Sequence, residues 1–279
     1  MLVNLSGILK DAQQGGYAAG SFNVYSYETI RGVLESAQAL NTPAIVAFGA
    51  RYLENMELET VRSITKKESE RLGVKAALHL DHCASLDTIY RAIPAGFTSV
   101  MYDGSALDFE QNAANTAKVV EAAHACGVSV EAELGSLAAG SGSNEGQKSD
   151  REIYTDPQQA KEFVRLTGVD CLAVSIGTVH GMYKGTPVIR VDILKQIKDS
   201  VAIPLVLHGG SGTPEDTIKD CIRNGICKIN VNTEISEYAV AQIKALLSGD
   251  KMPHLSAVSL KTVGYVREVV DKYMHIFKT

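Results

Sequence analysis

Short β-rich runs alternate with longer stretches of helical period along the whole chain. The predicted strands are 18–24, 44–48, 75–80, 98–102, 128–133, 170–176, 203–208 and 226–231. Several are unbroken apolar runs, as expected of parallel strands covered on both faces. Between them, apolar residues recur at three- and four-residue spacing. Ile30, Val33, Leu34 and Ala37 mark a helix within 27–40, and Ala113, Ala117, Val120 and Ala123 mark another within 110–126. A third, over 157–167, opens on Thr155-Asp156-Pro157, an N-cap followed by proline in the first turn. After the eighth helix an amphipathic stretch remains at 256–277, with Val258, Val263, Val266, Val269 and Val270. This alternation predicts an α/β fold: a closed (β/α)8 TIM barrel with a C-terminal helical extension, one domain over 1–279. An open doubly wound sheet is the alternative, but no Gly-x-Gly-x-x-Gly follows the first strand. The longest irregular stretch, 137–154, comes directly after the fifth strand, and connections of that length in compact folds are usually functional.

Composition narrows the classes of function. Lys and Arg number 27 against 32 Asp and Glu, a formal charge of −5, and no basic block occurs. Neither a nucleic acid nor an anionic membrane is an expected partner. No apolar run approaches the ~18 residues of a transmembrane helix. The N-terminus, MLVNLSGILKDAQQGG, lacks the cationic start of a signal peptide. The 5 cysteines are odd in number and form no Cys-x-x-Cys, which suggests reduced, mostly buried thiols and a cytoplasmic location.

Active sites of barrels lie at the C-terminal ends of the strands. Strand three ends in His79-Leu80-Asp81-His82, strand four runs into Asp103, and strand five ends in Glu131-Ala132-Glu133. His180 and Gly181 follow strand six, His208-Gly209-Gly210-Ser211-Gly212 closes strand seven, and Asn230-Val231-Asn232-Thr233 closes strand eight. Imidazoles from strands three, six and seven (His82, His180 and His208), with one position left open, suit a catalytic Zn2+. His79 lies deeper and is read as a buried or supporting histidine. Asp81, beside a ligand, is the candidate general acid/base. Asp103 and Glu133 are placed to orient the imidazoles, and Glu131 reads as a polar strand residue. The glycine-rich loop at 209–212 and the segment Asn232–Thr233 occupy the places where this fold often binds phosphate. Lys184 is either an added cation or a solvated surface residue. A carbonyl-polarising metal, a carboxylate and an anion pocket together suggest cleavage of a phosphorylated ketose without a Schiff base. Strand six carries no lysine, and Lys228 lies inside strand eight.

These residues resemble the class II, metal-dependent fructose- and tagatose-bisphosphate aldolases. The likeness runs through Phe22-Asn23, His79–His82, Met101–Ser105, Val130–Gly135, His180-Gly181, Leu207–Gly212 and Asn230–Glu234. It implies zinc on His82, His180 and His208, proton exchange between Asp81 and the C4 hydroxyl, and a second or alternative metal position at Asp103 and Glu133. It further implies that Gly181, Gly209, Gly210, Ser211 and Asn230, Val231, Asn232 and Thr233 grip glycerone phosphate. In that picture Asn23 also meets substrate, Asn230 stands near the reacting carbons, and a monovalent cation (Na+ or K+) sits beside the phosphate. Homodimers or homotetramers are expected. Two departures stand out. The loop after strand five, Ala138–Glu145, lacks the usual Gly-Gly, which leaves Glu145 as the expected mobile catalytic carboxylate. The start of the C-terminal segment has no arginine of the kind that, in the family, contacts the distal phosphate from a neighbouring subunit, with His254 or Lys261 as substitutes. The implied substrate is a ketose 1,6-bisphosphate, with a ketose 1-phosphate or a non-catalytic partner subunit as alternatives. A barrel metal hydrolase is disfavoured because strand one offers Ser21, Phe22 and Asn23 in place of a His-x-His pair.

Overall fold

The computed structural model describes residues 1–143, 154–183, 185, 188–249 and 251–278. Eight parallel strands close into a barrel: β1 (Ala19–Asn23), β2 (Ala44–Gly49), β3 (Ala76–Cys83), β4 (Ser99–Tyr102), β5 (Ser129–Leu134), β7 (Cys171–Val174), β9 (Leu205–Leu207) and β10 (Ile226–Val231). Two further strands, β6 (Ala138–Ala139) and β8 (Val179–His180), pair in parallel outside the barrel at its mouth. The helices are α1 (Leu5–Gly15), α2 (Tyr27–Ala39), α3 (Leu58–Leu72), α4 (Leu86–Ala95), α5 (Phe109–Ala125), α6 (Pro157–Thr167), α7 (Val191–Ser200), α8 (Glu215–Arg223), α9 (Thr233–Leu247) and α10 (Leu255–Phe277). The closed barrel and terminal helix match the expectation from sequence. Strand three differs, running on to Cys83 where the pattern predicts an end at 80.

The period-2 alternation of each strand sorts its residues between two cores. Phe22, Leu78, Leu80, Val130, Ala132, Ile229 and Val231 face outward and join the apolar layer beneath the helices. The inward face changes character from bottom to top. At the bottom, Ala19, Ile45, Ala77, Cys171, Ala173 and Val206 pack against Leu5, Ile8 and Leu9 of α1, which plugs the barrel. The sequence reading places no element over residues 5–15. There Asn4 caps the first turn, accepting from Ser6 N at 2.8 Å, and Gly16 ends the helix at φ 68°. Higher up, the inward residues are polar and buried: Ser21 and Asn23, His79 and Asp81, Glu131 and Glu133, Lys228 and Asn230. The buried acidic and basic side chains of the barrel strands gather in that upper half. No helix among the described residues is long and apolar enough to cross a membrane.

Candidate active site

A distortion in β3 sets up the site. Strict alternation would turn Asp81 inward and its neighbour His82 outward. Against β4, however, the register slips between Leu80 and Cys83, and His82 takes φ 42°, a left-handed conformation. The bulge aims both Asp81 and His82 at one cleft, at a conformational cost of order 1–3 kcal/mol.

His82 meets two other imidazoles there. The rings of His82 and His208 lie 4.5 Å apart between centroids, those of His82 and His180 4.9 Å, and those of His180 and His208 5.9 Å. One nitrogen from each lies within 4.8 Å of the others, and His82, Asp103 and Glu133 form a second such set. The hydrogen bonds fix which nitrogens face inward. His208 Nε2 is 3.0 Å from Glu131 Oε1, and a carboxylate only accepts, so the proton sits on Nε2 and the lone pair on Nδ1. That lone pair lies 3.1 Å from Glu133 Oε2, which accepts no hydrogen bond. Two electron-rich atoms held face to face need a positive charge between them, a proton or a metal ion. Likewise His82 Nδ1 donates to Asp103 Oδ2 at 2.9 Å, and its Nε2 has no partner. His180 is buried with neither ring nitrogen hydrogen-bonded. This donor set fits a divalent metal, with Asp103 and Glu131 fixing the rings from behind. Burial opposes charge on His82, but Asp81 and Asp103 raise its pKa above the usual histidine value. The carboxylates that would hold a proton there favour a metal cation equally well.

Asp81 sits beside this cluster with no exposed surface. Asn23 Nδ2 donates to one carboxylate oxygen at 2.9 Å and Asn230 Nδ2 to the other at 3.1 Å, leaving both amide carbonyl oxygens without partners. Burial alone would raise the Asp81 pKa. The charges of His82 and Lys228 outweigh it and hold the carboxyl well below the usual range. Beneath lies Glu131, with Lys228 Nζ at 3.0 and 2.8 Å from its two oxygens, both side chains wholly buried. Burial opposes ionisation of Glu131 as well, and the Lys228 ammonium overcomes it. His79 donates or accepts at Ser99 Oγ (2.8 Å), and burial, reinforced by Lys228, lowers its pKa to about 4. The deep, supporting place expected of His79 is therefore what the structure shows. The larger role of Glu131 and Lys228 is not apparent from residue type alone.

The glycine-rich loop after β9 lies against the segments around β8 and β10. Gly209 has φ 73°, and a Cβ there would stand 2.2 Å from Val179 O; Gly181 has φ 103°, and its Cβ would stand 2.6 Å from Ser141 O. Only glycine permits these approaches. Ser211 is buried, and its Oγ accepts from Asn232 N (3.3 Å) and Glu234 N (3.2 Å), joining this loop to the start of α9. One predicted donor is already occupied: Gly210 N–H bonds to Asn230 O at 2.9 Å, so Gly210 serves by its lack of a side chain. Val231 belongs to the outer apolar layer, and its side chain packs beside Gly210, where a Cβ would stand 3.4 Å from Val231 Cγ2. Asn232 Nδ2 donates to Tyr52 Oη at 3.1 Å, and Thr233 opens α9. Glu145 and Lys184 lie outside the described residues.

Asp81, His82, Asp103, Glu133 and His180 line a cleft of about 340 Å³ whose outer wall includes Arg51, a residue that carries no motif in the sequence. The family model for "Fructose-bisphosphate aldolase class-II" matches residues 3–279. The chain belongs to that family. As a class II aldolase it is a lyase, and its relatives agree. It is 40% identical over 253 residues to a fructose-bisphosphate aldolase of Staphylococcus aureus, covering 90% of this chain and 87% of that one. It is 39% identical over 281 residues to that of Geobacillus stearothermophilus, covering 96% of each. Among solved structures, the YdjI aldolase of Escherichia coli K12 superposes with a TM-score of 0.86 at 33% identity, covering 99% of this chain and 97% of that one.

Proposed function

We propose that this class II aldolase, acting as one unit over 1–279, catalyses the reversible, Zn2+-dependent retro-aldol cleavage of a ketose 1,6-bisphosphate. The products are glycerone phosphate and an aldehyde such as glyceraldehyde 3-phosphate. The observation that carries the reading is the convergence of three inward-facing imidazoles beside a carboxylate held by two amides. His82, His180 and His208 would hold the ion, with Asp103 and Glu133 offering an alternative set around His82. When bound, Zn2+ supplies Lewis acidity that polarises the ketone and stabilises the charge left on carbon as the bond breaks.

The chain's own groups perform the rest. Asp81 accepts the C4 hydroxyl proton as the C3–C4 bond opens and returns it in the condensation direction, while Glu145 is the proposed donor of the proton that C3 takes up to give glycerone phosphate. Asn23 and Asn230 keep the Asp81 carboxylate ionised and aimed, and their unpartnered carbonyl oxygens accept from substrate hydroxyls. Gly181, Gly209, Ser211 and the backbone of 230–233 cradle the phosphate, with a monovalent cation, Na+ or K+, beside it. Buried, unpaired Cys83, Cys171, Cys221 and Cys227 support a reducing, cytoplasmic setting. Exposed Val240, Leu247, Met252, Leu255 and Leu260 in and between the last two helices support association into a homodimer or homotetramer. Exhaustive chelation should abolish cleavage and added Zn2+ restore it. Full turnover by the metal-stripped protein would overturn the proposal.

A further inference from the structure

The cleft in front of the imidazoles has two unlike sides. The glycine-rich loop at 209–213 and the segment 230–233 contribute nothing to its lining. It is built from the ends of β2, β3, β4 and β5, together with His180. A ketose whose glycerone phosphate end rests on the glycine-rich loop, as the proposed reaction requires, extends its other end into this space. Three carboxylates reach it, and each is held by or turned toward groups of the site itself. Asp81 is held by two amides, Asp103 by His82 and Ser105, and Glu133 faces His208 and His82.

Arg51 differs from them. It sits in the turn Ala50–Tyr52 directly after β2, lines the cleft, is exposed, and forms no ion pair or hydrogen bond among the described residues. Its root is fixed. Tyr52 is buried, its ring 5.2 Å from that of Tyr25 and 6.4 Å from that of Phe48. A guanidinium stays charged at any pH the protein will meet, and its planar fork matches a phosphate or carboxylate. The substitutes suggested by sequence would reach a neighbouring subunit's site, and within this chain neither lines the cleft. His254 caps α10, accepting from Ser256 N at 3.2 Å.

We propose that Arg51 is the specificity-determining cation of this aldolase, binding an anionic terminal group, phosphate or carboxylate, on the aldehyde half of the ketose. The assignment rests on the aldolase reading above. The test compares wild type, Arg51→Lys and Arg51→Ala on three substrates of matched stereochemistry: a ketose 1,6-bisphosphate, the ketose 1-phosphate, and a ketose 1-phosphate ending in a carboxylate. In Arg51→Ala the ratio of kcat/KM for the bisphosphate to that for the 1-phosphate should fall ~10–100-fold, as expected for loss of a charge-assisted pair. The loss should appear mainly in KM, with Arg51→Lys recovering part of it. A parallel fall for the carboxylate substrate identifies a general anion subsite, and its absence identifies a phosphate subsite. An unchanged ratio in Arg51→Ala, with wild type active, overturns the role of Arg51 alone. A wild-type protein that cleaves none of the three overturns the aldolase reading and this proposal together.

Discussion

Replacing Glu131 by Gln separates two effects that the fold combines in one side chain. The carboxylate accepts from Lys228 Nζ at 3.0 and 2.8 Å and from His208 Nε2 at 3.0 Å, in a place with no solvent exposure. Glutamine keeps the shape and removes the charge, so the Lys228 ammonium is left buried without its counter-ion. Removing one partner of a buried pair typically costs ~3–5 kcal/mol. For 279 residues, unfolding entropy of ~2.1 cal/mol/K per residue converts this to a melting-point drop of roughly 5–8 °C. Lys228→Met alone leaves the opposite charge stranded and should cost a similar amount. The double variant removes both charges and should return to within ~2 kcal/mol of wild type. Metal affinity behaves differently. His208 loses the anion that fixes its tautomer and raises its basicity in both the single Glu131 variant and the double variant. Each should therefore bind Zn2+ ~10–100-fold more weakly. Calorimetric unfolding in the presence of a chelator measures the first effect, and competition with a chromophoric chelator the second. Additive stability losses, or Zn2+ affinity that recovers in the double variant, would refute the reasoning.

Asp81→Asn should retain stoichiometric metal while cleavage falls ~10²–10⁴-fold, measured by glycerone phosphate release; metal lost along with activity would mean that Asp81 acts chiefly as a ligand. His79 provides a pH signature. Its pKa is lowered to about 4 in the fold against 6.5 for an ordinary histidine, so the unfolded chain takes up this proton first as pH falls. Relative to His79→Gln, the metal-free wild type should lose stability between pH ~6.5 and ~4 and level off below. A ring titration near 6.5 by NMR would contradict the buried, neutral state.

The strands were legible because burial on both faces demands apolar runs, and the helices because each packs one stripe against the barrel. The imidazoles were legible because chemistry in such a barrel collects at strand ends, and His82, His180 and His208 all stand there. What escaped depends on register and on depth. That Asp81 and His82 can face the same way follows from the slip between β3 and β4, which no local pattern in 75–83 encodes. Glu131 and Lys228 lie 97 residues apart and meet only when the sheet closes. Helix α1 has the spacing that marks α2, with Leu5, Ile8, Leu9 and Ala12 on one face; what no local pattern shows is that its partners are the strand starts that it plugs. The C-terminal segment lacks an arginine at its start, and no motif marks Arg51, in the turn after β2, as a residue of the cleft.

The small sheet of β6 and β8 has a thermodynamic consequence. Gly140 N–H bonds to His180 O at 2.6 Å, and Ser141 and Met182 exchange bonds of 2.8 and 2.7 Å. His180 is thereby strapped between Val179, whose carbonyl abuts Gly209, and Gly181, whose Cα abuts Ser141. The proposed cation's third donor and the proposed anion cradle share three consecutive residues, so whatever sharpens the position of one sharpens the other. For the proposed metal and glycerone phosphate, linkage then requires reciprocity: the factor by which the metal tightens the grip on glycerone phosphate is the factor by which glycerone phosphate raises the affinity for the metal.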